Sequence, residues 1–293
     1  MAYVYFAKMN INREIYDVYN GKKNFDKLIN QLVEGVWHGS ASIFDEKGGE
    51  YKLFGVDNIL DENYLMGHLG YIKEGFHSSF DRENNKAIDV FDKDKLDYVA
   101  FYFNYQYEII AYTTSSKMRQ KNFLDIFQKL IIANSDIGVE FIPQTNSTNL
   151  RREIATFKRL KRIDLKIVPS NDDKDPMQDL FGITSTTMEE INANRIEQNY
   201  VSTQKEGLDK NSEPVKKVIQ GIAEGYGEGK FIGEDTSGDP KEIDSSKTVP
   251  FRQTVAQYNS KDKQTIASKG KAGVYKILEF RRREWCDVQK IIK

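Results

Sequence analysis

The stretch that decides the fold is Asp97-Tyr98-Val99-Ala100-Phe101-Tyr102-Phe103-Asn104-Tyr105-Gln106-Tyr107-Glu108-Ile109-Ile110-Ala111-Tyr112-Thr113-Thr114. Aromatic and β-branched residues fill both arms, and Asn104 to Gln106 supplies the polar turn between them, which is the signature of a buried hairpin. A hairpin this apolar needs neighbours on both faces, so the segment reads as the centre of a larger sheet.

Working outward, Tyr3 to Ile11 reads as a first strand, and Ser42 to Phe44 with Tyr51 to Val56 as a hairpin around Lys47-Gly48-Gly49. Phe25, Leu28, Ile29, Leu32, Val33 and Val36 recur at helical spacing, as do Phe123, Ile126, Phe127, Leu130 and Ile131. Residues 1–136 are therefore expected to form a β-rich sheet carrying two helices.

From residue 137 strand and helix signals alternate: strand Val139 to Pro143, helix Thr148 to Leu160, strand Ile163 to Val168, a polar break at Ser170 to Pro176, helix Met177 to Asn192 and strand Arg195 to Thr203. A helix capped by Ser212, with Pro214 in its first turn, precedes a strand at Lys230 to Gly233. Glu234 to Lys247 reads as an exposed loop, Val249 to Gln257 as a strand, and the basic Ser260 to Lys293 as either helix or strand. The expected fold class is mixed α+β, a β-rich first sheet followed by a βαβ-alternating half over residues 137–293.

The chain has 293 residues, 39% hydrophobic and 12% aromatic, enough to bury a core. Its 43 Lys plus Arg and 44 Asp plus Glu nearly cancel, so a polyanion partner requires a local patch. One cysteine, Cys286, excludes an intramolecular disulfide. Met1 to Asn10 lacks the basic and small-residue flanks of a signal peptide, and no run reaches the roughly 18 to 20 apolar residues of a membrane span. The expectation is a cytoplasmic protein with no membrane contact.

The densest local charge lies on the expected helix around Asn149 to Arg162. At 100° per residue Leu150, Ile154 and Phe157 share one face. Arg151, Lys158 and Arg162 form a stripe beside it, with Arg152 and Arg159 further round and Glu153 the one opposing acid. Lys161 and Lys166 extend the positive surface, and Lys117 and Arg119 offer a second contribution. Guanidinium forks suit phosphate oxygens, and neutralised phosphates release counterions, so this stripe is the candidate nucleic-acid contact; a solvated helix face paired with distant acids is the competing reading. Tyr102, Tyr105 and Tyr107 offer faces for base stacking or fill a core. Arg281 to Arg283 beside Trp285 form a second basic cluster.

Catalytic signals are weak. Asp164-Leu165-Lys166, Glu50-Tyr51-Lys52 and Glu228-Gly229-Lys230 have the spacing of metal-dependent nuclease carboxylates, at a frequency that chance supplies in so charged a chain. Gly225-Tyr226-Gly227-Glu228-Gly229 follows a helix and leads into a strand, the reverse of a phosphate-cradling loop, and reads as a helix C-cap. His38, His68, His77 and Cys286 lack metal-site spacing, so neither a metal nor another cofactor is expected.

The succession Phe157-Lys158-Arg159-Leu160-Lys161-Arg162, then Ile167-Val168-Pro169-Ser170-Asn171, then Gly225-Tyr226-Gly227-Glu228 resembles an uncharacterised bacterial family of about 300 residues found around prophages, mobile elements and phage-defence genes. The resemblance implies a setting and transfers no catalytic residue. The leading expectation is a non-enzymatic component of such a system that contacts DNA or RNA. The alternatives are a metal-dependent nuclease or toxin effector and a protein-interaction or scaffold subunit, with a protein partner or homo-oligomer in either case.

Overall fold

The computed structural model describes residues 1–171, 175–183 and 185–291, with side chains up to 171, from 178 to 183 and from 186 to 282. Strand β1 (Ala2–Ile11) is followed by helices α1 (Glu14–Tyr19) and α2 (Phe25–His38), then β2 (Ile43–Phe44), β3 (Glu50–Ile59), β4 (Tyr64–Asp81), β5 (Lys86–Asn104), β6 (Ile109–Tyr112) and α3 (Gln120–Ser135). The second half runs β7 (Val139–Pro143), α4 (Ser147–Ala155), β8 (Arg159–Ile167), α5 (Asp175–Phe181), α6 (Ser185–Glu190), β9 (Ile196–Val201), α7 (Glu213–Glu224), β10 (Gly227–Glu234), β11 (Pro240–Asp244), β12 (Arg252–Val255) and α8 (Lys263–Ile291).

The 97–114 hairpin is central, as its composition demands: β5 and β6 lie inside an antiparallel sheet of order β12-β1-β6-β5-β4-β3-β2, with β7 continuing the β12 side of β1. Alternation sorts its side chains to two cores. Val99, Phe101, Phe103, Ile110 and Tyr112 face α2 and α3, whereas Ala100, Tyr102, Ile109 and Ala111 face Ile266, Ala267, Val274 and Ile277 of α8. The α+β class stands.

Strand and helix alternate in the second half as expected, but the strands pair antiparallel, in the order β11-β10-β8-β9. Elements after residue 136 also complete the first sheet: β7 and β12 pair with β1, and α8 packs on its face.

Four local expectations change. The helix expected to reach Leu160 ends at Ala155, where the Thr156 hydroxyl donates to the Glu153 carbonyl at 2.7 Å. From Arg159 the chain is a strand, because pairing with β10 and the inward alternation of Ile163, Leu165 and Ile167 outweigh helical periodicity. Residues 234–247, read as a loop, contain edge strand β11, whose Ile243 is fully buried. The Met177 to Asn192 helix is two short helices, α5 and α6. Ser212 does occupy the N-cap of α7, but its hydroxyl donates to Asp209 rather than capping an amide.

A buried polar seam joins the sheets. Lys8 and Glu108, each 3% exposed, form an ion pair at 2.5 Å. Beside them Asn10 donates to the Gly225 carbonyl at 3.0 Å, and Arg281 donates to the Glu224 carbonyl at 2.7 Å and to Gln144 at 3.2 Å. Gly225 ends α7 at φ 85°, the left-handed C-cap expected of it, and a Cβ there would lie 2.6 Å from that of Lys8.

Candidate functional site

β4 and β5 are far longer than their sheet. β3 pairs with β4 only as far as Ile72, and β6 with β5 only from Phe101 to Asn104. Beyond those points the two strands pair with each other alone, past a bulge between Lys73 and Gly75, out to Asp81 opposite Lys86. The result is a two-stranded ribbon, residues 73–95, reaching about 30 Å at 3.3 to 3.4 Å per residue. Its tip is ordered by the Asp81 carboxylate, which accepts from the Glu83 and Asn84 amides at 3.0 and 3.1 Å and from the Asn84 side chain at 2.7 Å. Those bonds, the Asn84 side chain's first, hold the Asp81 carboxyl below its ordinary pKa.

Among its many charged residues the ribbon exposes large apolar side chains to solvent. Phe76 and Phe80 are each 63% exposed and Phe91 48%, with Val90 at 44% and Ile88 at 39%. Register puts Phe76 opposite Phe91, ring centroids 5.2 Å apart, with Phe80 two pairs along the same face. Val90 and Ile88 lie opposite His77 and Ser79 on the other face. The three phenylalanines on one face expose on the order of 300–400 Å² of apolar surface, within the range of the largest patch on a soluble chain. A two-stranded ribbon with no third strand is also marginal in water by itself.

The expected cationic stripe is divided by the end of α4. Arg151 and Arg152 remain exposed on that helix and Lys158 is exposed after it. Arg159 donates to the Thr203 and Gln204 carbonyls, Lys161 pairs with Glu234, and Arg162 pairs with Asp164 at 2.5 Å. Lys161 holds the Glu234 carboxyl below its ordinary pKa. Lys166 is flanked across the ladder by Glu228 and Glu197. Lys117 and Arg119 are exposed on either side of buried Met118 at the start of α3, which belongs to the first sheet.

Tyr102 and Phe103 are buried in the two cores, so they cannot receive a base; Tyr105 and Tyr107 are half-buried beside them. Arg281 is committed to the seam and Arg282 is exposed, while the side chains of Arg283, Trp285 and Cys286 lie outside the described residues. The nuclease-like pairs interlock: Asp164 faces Lys230 and Lys166 faces Glu228 across β8 and β10, and Lys230 also pairs with Glu242 at 3.0 Å. Burial pushes the Glu228 carboxyl upward, against the hydrogen bond from Ser246. Among the described residues no group of three or more His, Cys, Asp or Glu is placed to hold a metal ion. His38 sits beside Glu34, His68 stacks on Phe54, and His77 is on the ribbon, so the histidines do not converge. An open cleft of about 620 Å³ beside α2 mixes Lys22, Lys23 and Lys27 with Glu14 and Asp136, and Lys23 already pairs with Asp17 at 3.1 Å.

The ribbon escaped the sequence reading, although a signal was there: Phe76 to Phe80 and Ile88 to Phe91 flank the turn residues Asp81 to Asn85. Among the described residues no helix is long and apolar enough to cross a membrane. Residues 4–271 match a family model described as a domain of unknown function, DUF4747. No curated protein matches the chain.

Proposed function

Because the chain belongs to the DUF4747 family, whose description carries no activity to borrow, we propose from its own surface that it is a non-catalytic assembly subunit that docks another protein chain through the β4–β5 ribbon. The observation that carries this is the exposure of Phe76, Phe80 and Phe91 on one face of a ribbon with free edges. Aromatic anchors on a protruding element are the usual centre of a protein interface, and exposed strand edges supply backbone hydrogen bonds to a partner. A bacterial anti-phage or mobile-element assembly as the setting rests on the family resemblance alone.

The test is hydrogen exchange on the full chain, with Phe76→Ser/Phe80→Ser/Phe91→Ser as the comparison. The amides of residues 74–80 and 87–95 gain protection when the chain assembles, and the triple variant loses both that protection and the assembly, while its thermal midpoint stays within about 2 °C because the ribbon lies outside both cores. Ribbon amides that exchange at free-chain rates in every assembly the chain forms refute this reading.

A second reading, phosphate contact, keeps a narrower basis in the exposure of Arg151, Arg152 and Lys158. It expects Arg151→Glu/Arg152→Glu/Lys158→Glu to flatten the log–log salt dependence of DNA or RNA binding by about two to three units. An unchanged slope removes it.

A further inference from the structure

The free edge of β4 has a property beyond exposure: it is complementary to itself. Among the described residues its outer side has no strand partner after Ile72, which lies opposite Glu50 of β3. When an antiparallel strand pairs with a copy of itself, opposed residues must point their amides the same way, so the two-fold axis must pass through a residue rather than between two.

We propose that the chain dimerises with a second copy of itself through this edge, antiparallel about a two-fold axis at Ser78. The inference rests on the reading of the ribbon as a docking surface and names its occupant.

In this register Phe76 of each copy lies opposite Phe80 of the other. Glu74 comes alongside Arg82 of the second copy, the first residue past the end of β4. Moving the axis to His77 sets Glu74 against Phe80, and moving it to Ser79 sets Phe76 against Arg82, so the neighbouring permitted registers lose both the aromatic and the charge pairs. The ribbon as a whole carries five cations, Lys73, Arg82, Lys86, Lys93 and Lys95, against six acids, Glu74, Asp81, Glu83, Asp89, Asp92 and Asp94. A near-neutral surface gains nothing from a polyanion and suits an equally mixed partner. Pairing turns two marginal ribbons into one four-stranded antiparallel sheet with Phe76, Phe80 and Phe91 of both copies on one face, more than the three strands that independent stability needs. The interface is isologous, so every favourable contact occurs twice.

The experiment uses the full chain. Light scattering at about 10 µM should give twice the 33.9 kDa of one chain, in the concentration range of a modest interface. Glu74→Arg and Arg82→Glu should each raise the dimer dissociation constant about tenfold, since each reverses two symmetric pairs, and combining them should restore it to within about threefold. In a Cys286→Ser background, Ser78→Cys should form a disulfide-linked dimer on mild oxidation, because residues on the axis lie about 4.5 to 5.5 Å apart between Cα atoms; Ser79→Cys should not. A chain that stays at 33.9 kDa overturns the proposal, as does a dimer that ignores both charge reversals and Ser78→Cys. If the chain alone is monomeric yet the triple serine variant abolishes ribbon protection in a mixed assembly, this inference fails and the docking reading survives. If ribbon amides stay unprotected everywhere, both fail.

Discussion

Glu108→Gln is expected to destabilise the protein by about 3–5 kcal/mol, seen as a fall of roughly 10 °C in thermal midpoint, although it removes no atom from the core. Glu108 is reached by the turn after β5 with φ 52°, and its carbonyl accepts from the Met9 amide at 2.7 Å while its carboxylate meets Lys8 at 2.5 Å. Both partners are almost wholly removed from water, so neutralising one leaves a buried charge whose hydration is not replaced. Lys8→Met should cost a similar amount, by stranding the carboxylate instead. The double variant Lys8→Met/Glu108→Leu separates charge from packing: with both ions gone it should return to within about 1 kcal/mol of the starting stability. Chemical denaturation of the four proteins checks this, and simple additivity of the two single effects would show that the pair is not coupled.

That pair also marks where the sequence ceases to be legible. The Asp97 to Thr114 hairpin could be read because both of its faces are buried, leaving an uninterrupted aromatic and β-branched run with one polar turn. The ribbon beyond it could not, since among the described residues neither face is covered and its residues alternate by no single rule: Phe76, His77, Ser78, Ser79, Phe80. Lys8 sits in a strand whose neighbours are apolar, and only its distant partner Glu108 explains its burial.

The cationic candidates illustrate the same boundary from the other side. Leu150, Ile154 and Phe157 are all buried, as the helical wheel required, yet the helix ends between the second and third of them. Periodicity over so few residues does not distinguish one long helix from a helix, a turn and a strand that all face one core. Lys161 and Arg162 were visible as cations, but Glu234 neutralises Lys161 through a contact that depends on β8 and β10 lying side by side, and Asp164 neutralises Arg162 two residues along β8, on one face only because the segment is a strand and not a helix. Charge type is local, whereas charge pairing belongs to the tertiary structure.

The long helix α8 supplies the other large expected effect. Its sequence was ambiguous because Gly270 and Gly273 interrupt a basic, weakly periodic segment, and glycine costs a helix about 1 kcal/mol per residue. The structure shows what those glycines permit: a Cβ on Gly273 would lie 2.1 Å from the Phe6 ring, and one on Gly270 2.3 Å from the Tyr102 ring. Neither ring is free to withdraw, as Phe6 is packed edge-on against Phe251 at 5.1 Å and Tyr102 against Tyr64 at 4.9 Å. Gly270→Ala/Gly273→Ala should therefore destabilise by about 2–4 kcal/mol despite its better helix propensity, because the helix must lift from the sheet or the rings must leave their rotamers. Ala272→Gly, on the exposed side of the same turn, should lose only about 1 kcal/mol. Phe6→Leu combined with Gly273→Ala should recover part of the loss, since the smaller side chain vacates the space the new methyl needs. A double glycine variant as stable as the starting protein in urea would mean that α8 is not seated on β1 and β5 through these close approaches.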